Sequence, residues 1–119
     1  MVTHDIVEIG DYVSVMVKGQ LDMSAFQKIT DETFAVCQEK GIRKVIIDVT
    51  DAGGPFSEDL KLELTAYAAH TLRDIVDKYA YIYPKELITY TPQVISEGLD
   101  FNLRGFTNLD DALTWIDKD

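Results

Sequence analysis

The sequence contains a single cysteine, Cys37, among its 119 residues. One thiol cannot form an internal disulfide or a cysteine-based metal cluster, so nothing indicates an oxidising compartment. The sequence also lacks a long apolar run, since no stretch approaches the roughly 18–20 residues that span a membrane. The N-terminus has neither a basic start nor a long apolar segment, so we expect no signal peptide. These absences predict a soluble, cytoplasmic protein.

Basic residues are also scarce. The chain has 11 lysines and arginines against 21 acids, which gives a formal net charge of −10. Such a charge repels phosphate backbones and anionic lipid headgroups, and no basic stripe with interleaved aromatic residues offsets it. We therefore expect no nucleic-acid binding and no membrane insertion. A basic partner protein and a merely solvated acidic surface both remain open.

The length and the order of the apolar segments predict one domain, residues 1–119, of the α/β class. Residues 3–9 and 12–17 have the composition of a β-hairpin. The further predicted strands are 44–50, 79–83 and 102–106, and the predicted helices are 24–40, 57–78, 92–100 and one that Thr107 caps. The order ββαβαβαβα predicts a mixed sheet of four or five strands packed against four helices.

Helical periodicity assigns a core-facing stripe to three of these helices. The first helix, which Gly41 ends, has the stripe Phe26, Ile29, Thr33 and Cys37. The second has the stripe Leu60, Leu64, Tyr67 and Thr71, with Ile75 near it. The last has the stripe Leu109, Ala112, Leu113 and Ile116.

The most informative stretch runs from residue 44 to residue 60. Its apolar, β-branched run from Val45 to Val49 predicts a central strand that is buried on both faces. Turn-forming residues 51–55 follow, and Ser57 then precedes two acids, which is typical of a helix N-terminus. Open α/β sheets place their sites where a buried strand leads into a loop and a helix. We therefore expect any functional site to lie here.

Three stretches carry a resemblance to a known family. They are residues 17–22 (VKGQLD, where the family has G-x-L-D), 44–50 (KVIIDVT) and 106–116 (FTNLDDALTWI, where the family has F-x-x-x-x-x-A-L). In this order and spacing they resemble STAS domains of bacterial anti-sigma factor antagonists and sulphate transporters, and especially the SpoIIAA-like, STAS/SEC14-type branch. The resemblance implies a STAS fold, no catalysis, no cofactor and a partner protein, which includes a kinase in the anti-sigma antagonists.

In those antagonists a serine at the start of the second helix is phosphorylated, and the phosphate switches binding off. By resemblance that position falls on Ser57, which follows Phe56 and precedes Glu58 and Asp59. A helix N-terminus favours a phosphate, whereas neighbouring acids oppose it by an effect of similar size, on the order of 1 kcal/mol. Ser57 is thus a phosphorylation candidate and also a helix cap, and both interpretations stay open.

The remaining chemistry-bearing residues do not form a catalytic pattern. Asp48 and Asp51 could hold Mg²⁺ as in receiver domains, but the second acidic pair is lacking. The alternative is that Asp48 bonds neighbouring backbone and Asp51 shapes the turn. Ser57 and His70 would lie about 20 Å apart on one helix, too far for a catalytic triad. The glycines at 53 and 54 lack the motif of a phosphate-binding loop. We expect neither an enzyme nor a metal site.

Tyr79, Tyr81 and Tyr83 fall on one face of their predicted strand. They either belong to the core or line a pocket for an apolar ligand, which the SEC14-type likeness allows.

The sequence thus predicts a non-enzymatic STAS-like interaction module that docks a partner through residues 53–60 and the second helix. The alternative is a domain that binds a small apolar ligand or a lipid, using the same loop and the tyrosine strand. The oligomeric state stays open. Phe56 and Leu62 lie off the predicted core stripe. The predicted contact residues are Asp51, Gly53, Gly54, Phe56, Ser57, Glu58, Leu62 and Tyr81.

Overall fold

The computed structural model describes residues 2–53, 56–85, 89 and 91–118. The elements within these residues follow the predicted order. They are β1 (Thr3–Ile9), β2 (Tyr12–Lys18), α1 (Met23–Lys40), β3 (Lys44–Asp51), α2 (Glu58–Leu72), β4 (Lys78–Ile82), α3 (Thr91–Gly98), β5 (Leu103–Phe106) and α4 (Leu109–Ile116). The mixed α/β architecture with four helices is therefore confirmed.

The five strands form one sheet in which their spatial order equals their chain order, β1-β2-β3-β4-β5. β1 and β2 form an antiparallel hairpin, and every later neighbour is parallel. The carboxyl ends of β2, β3, β4 and β5 therefore meet at one edge of the sheet. β3 lies at the centre, so the loop that follows it emerges at the middle of this edge.

The two faces of the sheet are covered unequally. The larger core joins one face to α1 and α2, and it contains Val45 and Ile47 of the central strand. On the other face Ile46 packs with residues of β4 and with Ala112 and Ile116 of α4. The prediction that the central strand is buried on both faces is confirmed, because successive strand residues point to opposite sides.

α4 covers the second face mainly over β4 and β5. The hairpin side of that face has no covering element among the described residues, and three large apolar side chains are exposed there, namely Val7, Ile9 and Met16.

The second helix differs most from its prediction. It ends at Leu72 rather than near residue 78, because the N–H groups of Ile75 and Val76 both bond the Leu72 carbonyl in a tight turn. Its buried face is also rotated from the predicted stripe, of which Leu64 alone is buried while the other four members are half-buried. The residues that α2 buries are Lys61, Leu64, Thr65, Ala68, Ala69 and Leu72.

The first helix agrees with its prediction. Its whole predicted stripe is buried, and Gly41 ends it in the left-handed conformation at φ 67°. The Asp22 side chain caps its N-terminus by accepting a hydrogen bond from the Ala25 N–H at 2.8 Å.

The last helix requires two corrections. Asn108, not Thr107, is its cap, because the Asn108 Oδ1 accepts from the Asp111 N–H at 2.9 Å. Leu109 is exposed rather than core-facing, and Leu113 is half-buried. α3 and β5 differ from their predicted bounds by one or two residues, which is ordinary for element ends. Among the described residues, no helix combines the length and the apolar character needed to cross a bilayer.

Candidate functional site

The loop after β3 is held by the segment that follows β2. The Gly19 N–H bonds the Asp51 carbonyl and the Leu21 N–H bonds the Ala52 carbonyl, each at 3.0 Å. Gly53 has φ 81°, and a Cβ at this position would lie 2.9 Å from Oε1 of Gln20. The backbone angle favours glycine at this position, whereas the exposed end of the Gln20 side chain can shift to relieve the close approach. The predicted contact residue Gly54 lies outside the described residues.

Ser57 begins the second helix as its cap. Its Oγ accepts a hydrogen bond from the Leu60 N–H at 3.1 Å, and its side chain is exposed. The predicted capping role is confirmed, and phosphorylation of Ser57 stays a prediction. The polar side chain of Thr91, at the start of α3, stabilises the Glu58 carboxylate and so lowers the pKa of Glu58, and Lys61 acts in the same direction. The starts of α2 and α3 therefore lie close together.

Phe56 closes one side of the site. Its ring stacks on Tyr83 with 5.3 Å between centroids and 16° between planes, and its N–H donates to the Tyr83 hydroxyl at 3.2 Å. The sequence placed Phe56 off the core stripe, whereas the structure shows it half-buried against the larger core. The buried ring of Tyr83 supplies the surface on which it packs.

An apolar cavity of about 70 Å³ lies between the sheet and the start of α2, and it opens toward the surface. Its wall includes Phe56 and all three tyrosines of the β4 segment. Aliphatic side chains complete much of the wall, among them Leu21, Ile47, Val49, Leu64 and Leu103. An apolar pocket with a few polar groups at its edge is the usual form of a small-molecule site.

The polar groups of this cavity converge on Thr89. The Lys61 ammonium donates to the Thr89 hydroxyl at 3.1 Å, and the Tyr81 hydroxyl donates to the Thr89 carbonyl at 3.1 Å. Lys61 is only 7% exposed. Its second acceptor is the Glu58 Oε1 at 3.4 Å. The cavity therefore carries a buried cation at its edge.

Tyr81 separates this cavity from a second one. The second cavity, of about 410 Å³, is more polar and shares Tyr81 and Thr89 with the first. The Tyr81 ring lies directly over Gly105 of β5, where a Cβ would come within 2.4 Å of the Tyr81 Cζ. Only glycine leaves room for the ring in this position.

Comparisons with known proteins bear on the fold. Neither a protein-family model nor a curated sequence matches the chain. Among the solved structures that are similar to it over nearly its whole length are the following three. The first is an anti-sigma factor antagonist from Mycobacterium paratuberculosis, with 18% identity and a TM-score of 0.65 over 99% of this chain and 96% of that chain. The second is an uncharacterised DUF3478-family protein with a SpoIIAA-like fold from Shewanella loihica, with 20% identity and a TM-score of 0.63 over 97% of this chain and 93% of that chain. The third is the anti-sigma factor antagonist SpoIIAA in its unphosphorylated form, with 12% identity and a TM-score of 0.63 over 96% of this chain and 97% of that chain.

The fold is that of a SpoIIAA-like STAS domain. The predicted resemblance is therefore confirmed at the level of the fold.

Within this STAS fold five of the predicted contact residues fall into two groups. Phe56 and Tyr81 line the apolar cavity. Leu62 is 47% exposed, and Ser57 and Glu58 are exposed near it on the first turn of α2. Asp51 is an exposed residue at the end of β3 and does not line the described cavities.

The three tyrosines share one face of their strand, as predicted. The sequence left open whether they belong to the core or line a pocket, and in the structure they do both. Tyr79 and Tyr83 are buried in the core, Tyr81 is half-buried, and all three also form the cavity wall. Burial raises the pKa of the Tyr79 hydroxyl. The tyrosine strand is thus both core and pocket.

Two of the other chemistry-bearing residues have structural partners, and Cys37 is buried. Asp48 accepts a hydrogen bond from the Thr50 N–H at 2.9 Å, which confirms its predicted backbone contact. His4 pairs with Glu32 at 2.6 Å. Burial raises the pKa of the Cys37 thiol to about 11. Among the described residues no group of three or more His, Cys, Asp or Glu side chains could hold a metal ion.

Sequence reasoning missed Lys61 and Thr89. The position of Lys61 could have been predicted from the sequence. It stands three, four and seven residues before Leu64, Thr65 and Ala68, which places all four on one face of the helix, and that face is buried. Thr89 carried no local signal.

Proposed function

We propose that the chain is a non-enzymatic STAS-like regulatory module that binds a partner protein through the loop after β3 and the start of α2. The likeness of its fold to anti-sigma factor antagonists supports this proposal. The module acts by binding, and the predicted contact residues on α2 form its docking surface.

The observation that carries the proposal is the exposure of Leu62. A leucine with 47% of its surface exposed stands on the outer side of α2. Glu58 lies four residues before it and Asp59 three residues before it, so both carboxylates share its side of the helix. An exposed apolar side chain beside two acids is suited to a partner that offers an apolar pocket with a basic rim.

Site-specific photo-crosslinking in the native cells tests this surface. A photoreactive amino acid at position 62 is expected to give a discrete cross-linked protein. The same amino acid at position 109 is the control, because Leu109 is similarly exposed (49%) but lies on α4. The double substitution Glu58→Gln and Asp59→Asn, which removes both charges, should weaken the cross-link from position 62. Identical products from both positions would contradict the proposed surface.

A second candidate function is the binding of a small apolar ligand. The cavity beside Tyr81 favours it, because its wall is aliphatic and aromatic and it opens to the surface. Such a module would bind its ligand between the tyrosine strand and α2.

Native mass spectrometry of the chain purified from its own cells tests this second function. A bound ligand adds mass in the native spectrum and is lost on denaturation. Ala68→Leu, which fills the cavity, should abolish the added mass. Ala66→Leu is the matched control, since Ala66 is on the same helix but outside the cavity wall. A bare chain in both spectra, together with no binding of added apolar compounds, would contradict the ligand-binding function.

A further inference from the structure

We propose that the apolar cavity takes a monocarboxylate with an apolar tail, and that the Lys61 ammonium binds its carboxylate. This inference rests on the proposed ligand-binding function and adds the chemistry of the ligand's head group.

The first argument is the burial of Lys61. Among the described residues it is the one side chain with a formal charge that is buried, at 7% exposure. Removing an ammonium from water is costly unless an anion and further hydrogen bonds replace its hydration. A buried lysine at the wall of an apolar cavity therefore needs a partner.

The partners within the described chain satisfy Lys61 only in part. An ammonium has three donors. One reaches the Thr89 hydroxyl at 3.1 Å, and a second reaches Glu58 at 3.4 Å, a long contact. The Glu58 side chain is 60% exposed, so water screens its charge. A ligand carboxylate in the cavity can take the third donor without displacing Thr89.

The position of Lys61 on its helix strengthens this argument. Lys61 is the fourth residue after the Ser57 cap. The N-terminal end of a helix carries a partial positive charge, which disfavours a nearby cation and favours an anion. Lysine at this position therefore opposes helix stability, whereas a carboxylate bound beside it would be stabilised by both the ammonium and the helix end.

The shape and chemistry of the cavity define the other end of the ligand. Its walls beyond Lys61 are built largely from apolar side chains such as Ile47, Leu64 and Leu103. A cavity of about 150 Å³ holds a benzene ring, so the 70 Å³ found here accommodates roughly three carbons as it stands. Longer tails need the Tyr81 ring to move toward the second cavity, with which it forms the shared wall.

Calorimetric titration with three six-carbon compounds tests the head group. Hexanoate, 1-hexanol and hexylamine share one tail but carry a negative, a neutral and a positive head at pH 7.5. Hexanoate is expected to bind the wild-type chain at least tenfold more tightly than 1-hexanol, and hexylamine is expected not to bind. Lys61→Met, which retains an apolar stem, should weaken hexanoate binding at least tenfold, or about 1.4 kcal/mol at 25 °C, and leave 1-hexanol unchanged.

Lys28→Met is the matched control, because Lys28 is an exposed lysine on α1. It should bind hexanoate like the wild type. Lys61→Gln serves as a second variant, since it removes the charge but can still hydrogen-bond Thr89. Circular dichroism and urea unfolding establish which of the two variants is folded.

The outcomes separate the two proposals. Equal binding of hexanoate and 1-hexanol, or unchanged hexanoate binding in the folded Lys61 variants, would overturn the acidic head group and leave the apolar-ligand function standing. Binding of hexylamine in preference to hexanoate would do the same. Butanoate, whose three-carbon tail fits the cavity as it stands, is titrated beside the three six-carbon compounds. If neither butanoate nor any of the three binds the wild-type chain, both the ligand-binding function and the head-group assignment fail.

Discussion

Replacing Gly105 by alanine tests whether the Tyr81 ring is held in the cavity wall by the lack of a side chain beneath it. An alanine Cβ would lie 2.4 Å from the Tyr81 Cζ and 2.5 Å from its hydroxyl oxygen. Ordinary contacts begin near 3.4 Å, so the ring must move by about 1 Å. Gly105 is not one of the described glycines with a positive φ, so the backbone at this position tolerates alanine.

The expected cost follows from three contributions. Overpacking costs about 1–3 kcal/mol. Loss of the hydrogen bond from Tyr81 to the Thr89 carbonyl adds about 0.5–1.5 kcal/mol. The gain from restricting the unfolded chain offsets about 0.4–1 kcal/mol of this. We therefore expect Gly105→Ala to lower the free energy of unfolding by about 0.5–4 kcal/mol.

A double-mutant cycle measured by urea unfolding isolates the contact. In a Tyr81→Ala background the ring is absent, so Gly105→Ala should be neutral or stabilising, with a coupling energy of at least about 1 kcal/mol. Gly98→Ala is the control, because a Cβ at Gly98 would meet nothing within 4 Å. An equal cost of Gly105→Ala in both backgrounds would refute the assigned role of the Tyr81 ring.

Three further predictions concern single residues. Ser57→Ala should cost about 1 kcal/mol in urea unfolding and Ser57→Gly only a few tenths, because Ser57 is a helix cap; if Ser57 is also phosphorylated, Ser57→Ala removes one phosphate from the intact mass of the natively expressed protein. Gly41→Ala should cost about 1 kcal/mol, because alanine is strained at φ 67°, and an unchanged midpoint would contradict this. Cys37 should resist iodoacetamide at pH 8. Burial raises the pKa of the Cys37 thiol from about 8.5 in the unfolded chain to about 11. The stability contributed by the neutral buried thiol is therefore complete below pH 8.5 and is lost as the pH rises toward 11. The free energy of unfolding of Cys37→Ala should not show this loss.

The sequence predicted those elements whose residue pattern allows one interpretation. The β-branched run from Val45 to Val49 has no competing assignment, and the stripe of the first helix is apolar with a 3–4 spacing and a glycine at its end. In both cases local propensity and burial favour the same structure. The order of the elements and the fold class followed from these elements.

The second helix shows why other features could not be predicted. Two faces of this helix carry apolar residues, and the true buried face includes Lys61, a residue type that is almost never fully buried. Leu109 was misassigned for another reason, since α4 covers mainly β4 and β5 and nothing in its own sequence reveals how much of the helix meets the sheet. The contact between Lys61 and Thr89 joins residues 28 positions apart, and no periodicity within one element reports such a contact.

The agreement between strand order and chain order has a consequence for synthesis on the ribosome. Each strand that emerges finds its neighbour already made, so the sheet can grow at one edge from the β1–β2 hairpin onward without waiting for a later segment. The second face is the exception, because Ile46 and Ile82 are covered by Ala112 and Ile116 of the final helix. A nascent chain therefore carries an open apolar strip over β3 and β4 until α4 has left the exit tunnel and can pack against it.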